Sequence, residues 1–170
     1  EVQTASYNNI LYVMGGIGTG THNNVQYGKP TSTGDITSWL TATNLVTLRV
    51  SGFGVATNGY LYAIGGSDNV GVLTTVSDYA QINSDGSVGT WRTTNNVGGG
   101  RLVGGGAFYN GNLYWLAGCN AASCGSATNV NQYTDIRLAG ELATSTWTAG
   151  TTFNTSVNSP STAVYNGYIY

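Results

Sequence analysis

One segment, Asn58 to Gly66 (NGYLYAIGG), is rewritten elsewhere in the chain: as NNILYVMGG from Asn8 to Gly16, as NGNLYWLAG from Asn110 to Gly118, and as NGYIY from Asn166 to Tyr170. The copies keep step. Leu11, Leu61, Leu113 and Ile169 are separated by 50, 52 and 56 residues, and Trp39, Trp91 and Trp147 by 52 and 56. A chain that repeats one short unit at such intervals folds as stacked copies, because a single copy cannot bury its own apolar face.

Each period holds four short strands. The Asn-Gly pairs at Asn58-Gly59, Asn110-Gly111 and Asn166-Gly167 accept the positive φ of a two-residue hairpin turn, which pairs strands one and two. Asn8-Asn9 replaces the pair in the first unit, and asparagine is the next most tolerant residue. Tyr27 precedes Trp39 by 12 residues, with a turn at Thr33, Gly34 and Asp35 between them; Tyr79 precedes Trp91 by 12 around Asp85-Gly86; Tyr133 precedes Trp147 by 14. These spacings predict a second hairpin from strands three and four. In strand two, Tyr60, Tyr62 and Ile64 point one way and Leu61, Ala63 and Gly65 the other, so both faces are apolar, as a strand lying between two neighbouring sheets requires. Glycine thins the preceding strand, as Gly52-Phe53-Gly54 in one copy and Gly104-Gly105-Gly106 in another. Small residues suit a crowded axis. Four strands per repeat without helical periodicity predict an all-β fold, a β-propeller of four-stranded antiparallel blades. The repeat units run approximately 1–46, 47–98, 99–154 and, incomplete, 155–170.

The pattern of Arg49, Asn58-Gly59, Leu61-Tyr62, Gly65-Gly66, Tyr79 and Trp91 resembles the kelch repeat, of the kind found in bacterial-style secreted and surface proteins. The resemblance covers nearly the whole chain and is most specific in the second unit. Ala117 replaces one glycine in the third, and Val157 stands where the arginine of Arg49 and Arg101 would recur. About three blades and the start of a fourth are present. Propellers close with typically 4–8 blades, and at this spacing a six- or seven-bladed ring needs roughly 310–360 residues. The expectation is of a partial ring whose missing blades come from the same chain or from a second copy.

Composition excludes several function classes. Charged residues are 7% of the chain, with five Lys and Arg in all, so no basic stripe exists to neutralise a phosphate backbone, and nucleic acid is excluded as a partner. A hydrophobic share of 41%, with 11% aromatic residues and a formal net charge of -2, argues against disorder. No apolar run approaches the ~18 residues of a membrane span, and the chain opens on Glu1 without a charged-then-apolar signal segment, so the expectation is that a leader has been removed or that the chain is a fragment.

Catalytic constellations are hard to assemble from seven acids and one histidine. His22 has no second histidine for a metal or copper centre. Ser84, Asp85, Gly86 and Trp91 are similar to a sialidase Asp-box but lack its residue between Asp and Gly, and a hairpin turn accounts for them. No cofactor or metal site is expected. Cys119 and Cys124, the only cysteines, have no further metal ligands nearby and are expected to form a local disulfide, which points to an oxidising, extracellular setting. Asn154-Thr155-Ser156 is a glycosylation acceptor pattern.

In a meander, the loops joining strands two and three, and those joining strand four to the next strand one, emerge on one side. That side carries His22, Asp68, the cysteine loop, Arg49, Arg101 and residues 149–159, and His22, Asp68, Arg49 and Arg101 are candidate ligand-binding residues. The two arginines have a structural reading as well, in which they hold loop carbonyls of adjacent blades. Two function classes follow. The favoured one is a non-catalytic binding or scaffold module of a secreted or cell-surface protein, serving adhesion, glycan or protein binding, or surface assembly. The other is a fragment of a secreted carbohydrate-active or galactose-oxidase-like enzyme whose catalytic residues lie outside this segment.

Overall fold

The computed structural model describes residues 1–170 apart from Thr21, Asn69 and residues 144–146. Three four-stranded antiparallel meanders follow one another. The first comprises β1 (Gln3–Tyr7), β2 (Ile10–Met14), β3 (Val25–Gly28) and β4 (Leu40–Ala42). The second comprises β5 (Phe53–Thr57), β6 (Tyr60–Ile64), β7 (Ser77–Gln81) and β8 (Arg92–Thr94). The third comprises β9 (Gly105–Tyr109), β10 (Asn112–Leu116), β11 (Asn131–Asp135) and β12 (Thr148–Ala149). A hairpin of β13 (Val164–Tyr165) and β14 (Tyr168–Ile169) comes after them, and two short 3-10 turns are the only helical structure among the described residues. Strand β1 packs against β5 and β5 against β9, so the sheets fan out from a shared inner edge, and the fan does not close on itself.

The turn chemistry explains the register. Asn58 and Gly59 have φ of 52° and 79°, Asn110 and Gly111 48° and 80°, Asn166 and Gly167 46° and 85°, and Asn8 and Asn9 47° and 62°. Both central residues of each turn are left-handed, which matches the twist of the paired strands, and the pairing sets Thr57 opposite Tyr60 and Tyr109 opposite Asn112. The Asp85-Gly86 turn differs: only Gly86 is left-handed, at 89°. The Asn83 N–H bonds the Ser87 carbonyl at 2.9 Å, and the Asp85 carboxylate accepts the Ser87 N–H at 2.9 Å.

Strand β6 has a neighbouring sheet on each side. Leu61 and Ala63 share an apolar cluster with Tyr12, Met14 and Val25 of the first sheet, whereas Tyr62 and Ile64 share one with Leu113 and Trp115 of the third. All four β6 residues have no exposed surface. Burying such side chains is worth about 1.5–3 kcal/mol each, so these interfaces supply much of the driving force for stacking. Tryptophan follows position in the fan. Trp91 and Trp147 are buried, and the Trp91 indole N–H reaches the Thr43 carbonyl of the preceding sheet at 2.8 Å, while Trp39, on the face of the first sheet that no other sheet covers, is 42% exposed.

Candidate functional site

The two arginines on the long-loop side are interior groups. Arg49 has no exposed surface. Its backbone faces the first sheet, where its carbonyl accepts the Gly16 N–H at 2.9 Å and its N–H reaches the His22 carbonyl at 3.3 Å. Its side chain faces the second sheet. Nη1 donates to the carbonyls of Ala63 (2.9 Å), Gly65 (3.2 Å) and Val76 (3.0 Å), and Nη2 donates to Asp78 Oδ2 at 2.6 Å. Asp78, also fully buried, accepts the Thr93 hydroxyl and the Thr47 N–H as well. Burial pushes the Arg49 guanidinium below its ordinary value, and the Asp78 carboxylate opposes that shift.

Arg101 repeats the arrangement one sheet on. Its carbonyl accepts the Gly66 N–H at 2.9 Å, and Nη1 donates to the carbonyls of Ala117 (3.0 Å) and Val130 (2.9 Å). Its carboxylate partner is replaced by an amide: Nη2 donates to Gln132 Oε1 at 2.6 Å, and the guanidinium lies 4.8 Å from the centre of the Trp115 ring. With no carboxylate facing it, desolvation brings Arg101 down to about 10. In the third repeat Val157 keeps the backbone half of the device only, its carbonyl accepting the Gly118 N–H at 3.1 Å. These bonds are the structural role set beside ligand binding for Arg49 and Arg101.

Asp68 and His22 serve their own loops. Asp68 Oδ1 accepts the N–H groups of Val70 (3.0 Å) and Val72 (2.9 Å), and the half-buried His22 donates its N–H to the Gly16 carbonyl at 2.9 Å. Cys119 and Cys124 are joined in a disulfide with Cα atoms 5.0 Å apart. Asn154 is exposed in the connection between β12 and β13. Among the described residues no group of three His, Cys, Asp or Glu side chains could hold a metal ion.

The long-loop side carries a depression of about 360 Å³ at the inner edge of the fan, lined by Glu1, Ser51, Ser67, Ser123, Asn158 and Ser159 together with Val103 and Cys124. Its floor is a backbone relay. The Val103 N–H donates to the Ser51 carbonyl at 2.6 Å and the Ser159 N–H to the Val103 carbonyl at 2.8 Å, linking the lead-in segments of successive sheets. Ser51, Val103 and Ser159 all hold left-handed backbone, at φ of 62°, 48° and 49°, an unusual conformation for a β-branched valine. The Ser51 hydroxyl bonds the Glu1 carboxylate. None of the four candidate residues of the sequence lines this depression. The residues that do were missed in the sequence, although Ser51, Val103 and Ser159 each follow the arginine position of their repeat (Arg49, Arg101, Val157) by two residues.

The fold and its loops thus define an all-β protein of repeated four-stranded antiparallel sheets. No family model and no curated protein matches the chain. Among solved structures 153 chains match. One, the structure of YjhT, superposes with a TM-score of 0.71 at 15% identity, over 92% of this chain and 53% of that one. The chain spans about half the length of that structure. The likeness is one of fold, and a widely shared fold hosts unrelated functions.

No helix among the described residues is long and apolar enough to cross a membrane.

Proposed function

We propose that residues 1–170 are part of a kelch-like β-propeller that acts as a non-catalytic binding or scaffold module of a secreted or cell-surface protein. The observation that carries this reading is where the recurrent polar groups are directed. The guanidiniums of Arg49 and Arg101, the phenols of Tyr12 and Tyr62 and the indole of Trp91 all bond backbone carbonyls within the fold. The repeat's chemistry therefore holds sheet to sheet. The long-loop depression is lined by hydroxyls, an amide and one carboxylate, with Leu102, Val103 and Cys124 between them, and such groups hold a polar glycan or protein surface by hydrogen bonds.

The propeller reading draws support from the fan of meanders, from their likeness to half of a longer structure, and from an apolar hollow of about 300 Å³ against the third sheet, lined by Tyr114, Leu116, Phe153 and Ile169. Further blades of the same chain, or a second copy, would cover that face. The Cys119–Cys124 bridge and the exposed Asn154 suit export, since disulfides persist in oxidising compartments.

The test offers immobilised protein a panel of neutral glycans and extracellular matrix proteins and recovers each ligand for chemical analysis. Saturable binding that Asn158→Trp abolishes by filling the depression, with the ligand unchanged, is the expected result. Binding indifferent to Asn158→Trp, or chemical turnover of the ligand, contradicts the reading.

A further inference from the structure

On the opposite side of the fan, where the short hairpin turns emerge, a groove of about 360 Å³ lies between the second and third sheets. Tyr60, Tyr79, Gln81, Thr90 and Arg92 of the second sheet and Ala139 of the third line it. The tyrosine ring centroids are 6.1 Å apart, with the planes inclined at 50°. The half-buried Tyr60 ring is seated on Gly140, where any Cβ would overlap it. The Tyr79 hydroxyl donates to Glu141 Oε1 at 3.2 Å, so the exposed carboxylate of the third sheet stands at the rim of the groove, beside a tyrosine that lines it. Burial and Glu141 both push the Tyr79 phenol up, and Arg92 opposes them, so the two charges act on one hydroxyl from opposite directions.

The comparison with the first interface shows that packing alone does not call for these residues. Strand register puts Ile10 at the Tyr60 position and Leu40 at the Arg92 position, and the turn register puts Ser87 at the Glu141 position. The interface between the first and second sheets thus forms with an isoleucine, a leucine and a serine. The second replaces all three with an aromatic ring, a cation and an anion, in a chain with only five Lys and Arg and seven Asp and Glu. A feature that recurs at one phase in every repeat belongs to shared packing. The first interface has its own cleft, of about 440 Å³, with Lys29 and Asp85 in its lining. What is particular to the second is the pair of tyrosines, Tyr60 and Tyr79, set beside a cation, where the positions aligned with Tyr60 and Arg92 hold an isoleucine and a leucine in the first. Backbone conformation adds to this: Ala139 on the groove wall holds left-handed φ at 68°, a strained state that proteins tend to keep at functional sites.

We infer that this groove binds a neutral pyranose, as a mono- or disaccharide unit. A pyranose has an apolar CH face, which the Tyr60 ring can stack against, and an edge of hydroxyls that both donate and accept. Arg92 supplies donors only, Glu141 acceptors only, and Gln81 and Thr90 both kinds, so adjacent hydroxyls can be met from either side. The opposed charges make the groove neutral overall: an acidic sugar would face Glu141 and an amino sugar would face Arg92. The volume lies within the range of small-molecule sites. This site is separate from the long-loop depression and stands whether or not that depression binds anything.

The test titrates the 170-residue protein, by NMR, with methyl glucoside, methyl galactoside, methyl mannoside, lactose and cellobiose at up to about 10 mM, in the affinity range of weak sugar sites, and with methyl glucuronide as the acidic comparison. The variants Tyr60→Ile, Arg92→Leu and Glu141→Ser each install the residue that the first interface already accommodates, so they preserve the fold, and their melting temperatures confirm it. At least one neutral glycoside shifts the amide signals of Gly89 and Thr90 saturably, each variant weakens that binding by about tenfold or more, and Asn158→Trp leaves it intact. The inference is overturned if no neutral glycoside binds, if methyl glucuronide binds as tightly, or if the folded variants bind like the parent.

Discussion

Gly65 tests the inter-sheet geometry more sharply than any other single position. It has φ of 60°, and a Cβ there would overlap the ring of Trp115, a residue of the next sheet with no exposed surface. Gly65→Ala therefore incurs two costs. Left-handed backbone costs an L-residue about 1–2 kcal/mol, and forcing a methyl into a packed ring costs about 1–3 kcal/mol more, giving about 2–5 kcal/mol in all. In the third repeat Ala117 holds φ of 54° at the matching position. Ala117→Gly relieves that backbone strain but also deletes a buried methyl and frees the unfolded chain, so the opposed terms should leave stability within about 1 kcal/mol of the parent. Trp115→Ala should cost about 3–5 kcal/mol, and in that background the ring is gone, so Gly65→Ala should cost only its backbone share of about 1–2 kcal/mol. Urea unfolding of the four proteins of the cycle gives each difference from the midpoints at constant slope. If Gly65→Ala costs under about 1 kcal/mol, or costs as much without Trp115 as with it, the packing of the third sheet on the second is not as described.

The buried pair of Arg49 and Asp78 gives an asymmetric prediction: Asp78→Ala leaves a buried guanidinium without its anion and costs about 3–5 kcal/mol, whereas Asp78→Gln rebuilds the amide partner of Arg101 and costs clearly less, both read from denaturant midpoints. Burial, with smaller effects from Tyr27 and Asp85, pushes Tyr12 up to about 12. Because the folded state holds that proton longer than the unfolded state, whose tyrosines ionise near 10, the stability it contributes is complete below pH ~10 and is lost as pH rises toward ~12. Tyr12→Phe should lose about 1 kcal/mol at neutral pH with its bond to the Gly86 carbonyl, yet decline less steeply in that alkaline window; an unchanged slope refutes the assignment. Reducing the Cys119–Cys124 bridge opens a very short loop and should cost at most about 2 kcal/mol, and thiol titration of the unreduced denatured protein should find no free thiol.

The repeat was legible because its signals are local. An asparagine and glycine in a two-residue turn declare a left-handed backbone, and a strand apolar on both faces declares two neighbours, so the hairpins and the Leu61 and Tyr62 clusters could be written down from the chain. Trp39 was not separable from Trp91 and Trp147, since all three share one phase and their burial depends on whether a sheet lies across from them. In the long loops the sequence marks candidate residues by chemical type alone. Arg49 and Arg101 have the same residue type whether they face carbonyls or a ligand, and only the fold shows their donors turned to Ala63, Gly65, Val76, Ala117 and Val130. The Tyr60, Arg92 and Glu141 groove joins residues up to 81 positions apart across two sheets. Its signal was nonetheless present, as a departure from the repeat at three aligned positions, and reading it required the register that pairs Tyr79 with Arg92 and Tyr27 with Leu40.

Successive sheets are joined by the same backbone links, the N–H groups of Gly16, Gly66 and Gly118 to the next lead-in segment and those of Val103 and Ser159 to the previous one. Amide hydrogen exchange measures them one by one. The links predict that Gly66 and Val103, though they lie outside any strand, exchange as slowly as the amides of β6, because they open only when sheets separate. Exchange of Gly66 and Val103 at the rate of an exposed loop amide such as that of Asn154 would mean that the sheets are not held together in this way.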